Sequence, residues 1–155
     1  MTEPNGNVQP MLPYSIRGQF IKDLSFESPN PIKTFSEQTD EQPNINVDIQ
    51  ARGENIGGAD FEVTLEIKAH AKRNDENIFM VELVYAAFVT FDESVNRDNV
   101  GRLLMVEVPH MMFPAARNII ADITRDGGFP PLMLNPVNFE QLFEQQAANQ
   151  PQANA

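Results

Sequence analysis

The sequence predicts an α+β protein: a four-stranded antiparallel sheet of Greek-key-like order, packed with one long helix and a short C-terminal helix. Three observations lead there. Four runs of residues alternate apolar and polar side chains with the two-residue period of strands, and all lie before Asp92. After them the apolar spacing changes to the three-and-four period of a helix. Strands first and helices afterwards is the order of an α+β chain rather than of repeated βαβ units.

From Ile16 to Glu27 the apolar residues Ile16, Phe20, Leu24 and Phe26 fall on even positions, with Lys22 the exception, while Arg17, Gln19, Asp23, Ser25 and Glu27 fall on odd ones. This predicts a strand with one buried face. Ser28 to Asn44 contains Pro29, Pro31 and Pro43 and is too long for a hairpin turn, so it predicts a long crossing loop. Ile45, Val47, Ile49 and Ala51 then alternate with Asn46, Asp48 and Gln50. A third run alternates Phe61, Val63, Leu65, Ile67 and Ala69 with Glu62, Thr64, Glu66, Lys68 and His70. Gly57 and Gly58 between these runs mark a tight hairpin. The fourth run, Ile78 to Phe91, carries Phe79, Val81, Leu83 and Tyr85 on one face and Met80, Val84 and Phe88 around Glu82 on the other, which predicts a central strand covered on both sides. The long loop lets the first strand return beside the fourth.

Pro109 suits a helix start, and Met112, Ala115, Ala116, Ile119, Ile120 and Ile123 form an apolar face as far as Arg125. Gly127 and Gly128 end it. Pro114 predicts a bend or a late start. The last helix opens at Asn138 as a cap and places Phe139, Leu142 and Phe143 on one stripe. The chain of 155 residues suits a single domain over residues 14–148, with polar tails over 1–13 and 149–155.

The formal net charge of −11 sets the surface field against nucleic acid and anionic lipid, so neither nucleic-acid binding nor membrane insertion is expected. The most apolar stretch, Val100 to Ile123, is interrupted by Arg102, Glu107, His110, Arg117 and Asp122, which fails as a membrane span. The absence of cysteine removes disulfides and thiolate metal sites. With an N-terminal segment unlike a signal peptide, these features predict a soluble, cytoplasmic protein.

No residue pattern points to catalysis. His70 lies on the polar face of a strand and His110 beside Pro109, without the spacing of a zinc site. Asp122 and Asp126 are one helical turn apart, but Asp126 adjoins the glycine stop, which favours a helix-end role over an acid/base pair. No phosphate loop or nucleophile elbow appears. The chain is therefore expected to be no enzyme, with no cofactor and no metal of its own. A different feature stands out: if the first and fourth strands pair, Asp23, Ser25 and Glu27 join Glu82 and Met80 in one acidic patch holding a methionine.

The segment F-I-K-D-L-S-F-E-S-P-N-P from Phe20 to Pro31 resembles the SecB family, as does I-F-M-V-E-L-V-Y ending at Tyr85. So do F-P-A-A-R at Phe113 and T-R-D-G-G-F-P-P-L-M-L-N-P-V-N-F ending at Phe139. The resemblance covers about Phe20 to Phe143 and implies an ATP-independent export chaperone. Such a protein binds unfolded precursor proteins and delivers them to the motor ATPase SecA, as a homotetramer assembled as a dimer of dimers. By the same resemblance Asp23, Glu27, Met80 and Glu82 contact the zinc-bearing C-terminal tail of SecA, and the zinc is the partner's. It also implies a client groove framed by the crossing loop, the second strand and the last helix: Phe35, then Ile45, Val47 and Ile49, then Phe139, Leu142 and Phe143. Phe139 and Phe143 equally suit a staple holding that helix to the sheet. Val81, Leu83 and Tyr85 read first as core, yet their family counterparts influence assembly; Ile119 and Ile123 on the long helix are expected at a contact between dimers. A second duty for the same fold is binding a different cytoplasmic client, such as one in a toxin–antitoxin system.

Overall fold

A computed structural model describes residues 11–149 of the chain, so most of the two expected tails lies outside the described residues. Strands β1 (Tyr14–Glu27), β2 (Asn44–Gly57), β3 (Asp60–Arg73) and β4 (Glu76–Phe91) form one antiparallel sheet in the order β1-β4-β3-β2. The first strand does return beside the fourth. Both hairpins turn where the backbone takes positive φ, at Gly57 and Gly58 and again at Asn74 and Asp75. Such turns match the natural twist of the strands they join, and glycine, asparagine and aspartate reach that conformation most easily.

The crossing connection is not wholly loop, because Pro31–Ser36 forms a short helix, α1, with proline in its first turn. Lys33 ties it to Glu76 at 2.6 Å, and Arg73 lies 3.8 Å from Glu37.

Strand β1 departs from simple alternation. Its register against β4 slips between Ile16 and Gly18 and again between Ile21 and Asp23, so Arg17 and Lys22 are bulge residues. Each bulge reverses the phase of the side chains. Phe20 therefore pairs with Ala86 on the face away from the helices and is 41% exposed, instead of sharing the buried face with Leu24 and Phe26. The lysine that broke the pattern in the sequence marks the slip.

The helical region begins earlier than the apolar period suggests. Helix α2 (Arg97–Arg102) is capped by Asn96, whose side chain accepts from the Asp98 N–H at 3.1 Å. A π-helical turn over Leu103–Glu107 joins it to α3 (Val108–Asp126). Pro109 is thus a buried residue inside a helical run and not its start. Proline lacks an N–H and crowds the preceding turn of a regular helix, and a wide π turn just before it relieves both problems. Helix α3 continues through Pro114, so the late start expected there does not occur, and it stops at Gly127 as expected. The last helix, α4 (Phe139–Ala148), is capped by Asn138 accepting from the Gln141 N–H at 3.0 Å.

Helices cover one face of the sheet. Val63, Leu65, Ile67, Val81, Leu83 and Val89 are buried there beneath Val108, Met112, Ala116 and Ile120. Strand β4 is central, but only this face is covered. On the other side Val84 and Phe88 remain partly exposed, screened only by neighbours such as Arg17, which lies 5.1 Å from the Phe88 ring centre.

Thr124 is the one buried polar side chain among the described residues, and its hydroxyl fixes the course of the chain beyond α3. It donates to the Ile120 carbonyl at 2.9 Å and accepts from the Leu132 N–H at 2.9 Å. Thr124→Val keeps the shape but orphans the Leu132 amide, so stability should fall by about 1–3 kcal/mol. Urea unfolding measures this; an unchanged midpoint would mean that water replaces the hydroxyl.

Candidate functional sites on opposite faces of the sheet

The register of β1 against β4 places the acidic residues together. Glu27 faces Met80, Ser25 faces Glu82 and Asp23 faces Val84, all on the side away from the helices. Beyond the second bulge β1 alternates regularly, which is why this part of the sequence pattern is unaffected by the slip. Asp23, Glu27 and Glu82 are exposed, Met80 is half-buried, and none of the three carboxylates has an ion-pair partner among the described residues. Across the sheet Glu82 faces Lys68 and Met80 faces His70. His70 Nε2 lies 2.7 Å from Asn77 Oδ1. The result is a mainly acidic surface with an apolar sulfur between Glu27 and Glu82. Such a surface suits a basic, partly apolar partner segment.

Toward the far end of the same face two of the carboxylates, Glu62 and Glu66, are paired with Lys22 and Arg52. Lys22, the bulge residue, donates to Glu62 at 2.9 Å, and that carboxylate holds the ammonium above its ordinary pKa.

The helix-covered side carries two cavities along the outer edge of β2. One, of about 820 Å³, lies between β2 and α4 and is lined by Ile49, Ala51, Met105, Leu142, Phe143 and Gln146 among others. The second, of about 440 Å³, lies between Ile45, Val47 and Ile49 and the strap Leu132–Val137. Ile49 belongs to both. Ile45, Val47 and Ile49 thus follow one another along this edge, with Leu142 and Phe143 beside Ile49 at its α4 end.

Two of the expected groove residues are placed elsewhere. Phe139 is 3% exposed and packs edge-on against Phe113, with ring centres 5.9 Å apart, so it staples α4 to α3. An N-terminal position directly after the cap turns it inward. Phe35, on α1, lines neither β2 cavity. It is exposed on one side and rests on Phe129 at 5.6 Å, beside Phe26 and Phe79. This aromatic cluster leaves no room for a side chain on the two glycines that end α3: a Cβ on Gly127 would collide with the Phe26 ring, and one on Gly128 would come within 2.7 Å of Phe35. The strap leads from Phe129 to the β2 groove. Met105, Leu132 to Val137 and Gln146 were not singled out by sequence; the π turn and the proline-rich strap give no amphipathic period by which to find them.

Val81 and Leu83 are fully buried within the single chain and Tyr85 nearly so, its hydroxyl 3.2 Å from Gln19 Oε1. As contact residues for another subunit they are therefore corrected to core residues, because helix α3 already covers their face of β4. Ile119 and Ile123 are half-buried on α3 and retain surface. Asp122 and Asp126 both lie near Arg125, at 3.3 and 3.6 Å, and are surface ion-pair residues. Among the described residues no group of three metal-ligating side chains converges, and no helix is long and apolar enough to cross a membrane.

Comparison with known proteins agrees with this architecture. The family model described as preprotein translocase subunit SecB matches residues 7–150. The protein-export protein SecB of Afipia carboxidovorans is 46% identical over 85% of this chain and 81% of its own length. That of Nitrobacter hamburgensis is 42% identical over 96% of this chain and 91% of its own. Among solved structures, a SecB-like chaperone of Mycobacterium tuberculosis in complex with an antitoxin peptide superposes with a TM-score of 0.66. It is 12% identical and covers 80% of this chain and 90% of that one, a likeness of fold. With its sheet order, its open acidic face and a family match spanning nearly the whole sequence, this chain belongs to the SecB family of protein-export chaperones.

Proposed function

We propose that the chain works as an ATP-independent holdase in the cytoplasm, keeping precursor proteins unfolded for export and passing them to SecA. The observation that carries this reading is the division of surfaces: an apolar groove on the helix side of β2 and an open acidic face on the other side of the sheet. A client held by apolar burial needs no sequence code, which suits a protein that accepts many chains. The acidic face with Met80 fits a basic tail, and the zinc-bearing C-terminal tail of SecA is the partner assigned to Asp23, Glu27, Met80 and Glu82. Family membership supports the export duty over service to a toxin–antitoxin system, since the relatives at 40–46% identity carry the export name.

The working unit is a homotetramer, a dimer of dimers. Support comes from unpaired backbone along the free edge of β1, exposed Phe20 and Ile21 on that strand, and half-buried Ile119 and Ile123 on α3. Light scattering at micromolar concentration should return four times the 17.4 kDa chain mass. A single-chain mass would exclude the assembly.

The function itself is tested by refolding. The protein should slow the refolding of a denatured precursor without ATP and have no effect on the native form. Refolding at the unassisted rate with the chaperone in excess would reject the reading.

A further inference from the structure

The outer edge of β2 is closed at one point by a side chain. Gln146 on α4 donates from Nε2 to the Ala51 carbonyl at 3.0 Å and accepts from the Ala51 N–H at 3.3 Å. One amide thus makes both bonds that a residue of a neighbouring strand would make with Ala51 in an antiparallel ladder. The register of β2 on β3 is unbroken from Asn44 to Asn55, so Ile49, Val47 and Ile45, at two-residue intervals from Ala51, direct their backbone groups off the same edge. Their side chains face the two cavities. Backbone pairing positions and apolar pockets therefore share one line, and Gln146 holds the pairing position at its α4 end.

We propose that Gln146 is a displaceable stand-in for client backbone. With the groove empty it satisfies the nearly fully buried Ala51 peptide groups and covers part of an edge that would otherwise invite self-association. An extended client segment replaces both bonds as it pairs with β2, and the glutamine swings out with its side chain into solvent. A helical or folded segment has its own peptide groups occupied and offers no replacement, so Gln146 favours extended chain over structured chain. This inference rests on the β2 groove being the client site.

The test uses the full-length protein and two labelled peptides of alternating Leu and Arg, one ordinary and one N-methylated on alternate backbone amides so that it cannot pair with a strand edge. Gln146→Ala and Gln146→Met both retain helix-forming side chains and remove the amide. Each should bind the ordinary peptide about fivefold more tightly than the native protein, since one or two modest hydrogen bonds no longer have to be exchanged. The N-methylated peptide should bind all three proteins with the same, weaker affinity. Unchanged or weakened binding of the ordinary peptide by both variants would overturn the proposal and leave Gln146 as a pin between α4 and β2. If the native protein binds neither peptide nor a denatured precursor, the groove reading fails and the proposal with it; binding of the precursor with no effect of Gln146 removes the proposal alone.

Discussion

Replacing Asp23, Glu27 and Glu82 together by lysine should abolish binding to the SecA tail and leave the holding of unfolded precursor intact. The three carboxylates share one exposed face, and none is engaged by a cation among the described residues, so their field is available to a partner. Exposed pairs are commonly worth under about 1 kcal/mol each, which is why reversal is preferred to alanine: it adds repulsion to lost attraction and gives several kcal/mol over the set. The apolar side chains that line the groove lie across the sheet from the patch, so client binding should be insensitive. Tail binding by the native protein should also weaken as salt rises. Calorimetric titration of the tail peptide checks both. Native affinity in a folded triple variant would reduce the patch to a solvated sheet face.

Phe139→Ala and Phe143→Ala should part company, although the two residues lie one turn apart on α4. Phe139 is buried against Phe113, and its truncation should cost about 3–5 kcal/mol of stability through the lost burial and the cavity left behind. Phe143 is only partly buried, on the wall of the larger cavity. Its truncation should cost little stability and weaken client binding by about 1–3 kcal/mol, the worth of the apolar area it offers. Denaturant unfolding alongside precursor binding separates the two. Equal loss of stability in both variants would mean that α4 is wholly core, and the groove would then have to lie elsewhere.

The parts of the fold legible in the sequence are those governed by a local period. The β2 to β4 pattern, the Gly57-Gly58 turn, the Asn138 cap and the Gly127 stop each arise from neighbouring residues, and the acidic patch is readable because β1 is regular from Asp23 onward. Departures from a period hid the rest. A bulge at Lys22 moves Phe20 to the other face, and a π turn before Pro109 hides a helical start at Arg97. The direction of Phe139 and the bonds of Gln146 depend on tertiary packing that no spacing encodes. Residues in the proline-rich strap reach the groove for the same reason: Thr124 holds the chain there through a single hydroxyl.

If client and motor are held on opposite faces of one sheet, both can be bound at once. Light scattering of the protein mixed with a denatured precursor and SecA tests this most directly. The expected result is a ternary complex whose mass contains all three components, with the same SecA affinity whether or not precursor is bound. Displacement of precursor by SecA at equilibrium, with no ternary mass at any ratio, would contradict the two-face arrangement and place both partners on a single surface.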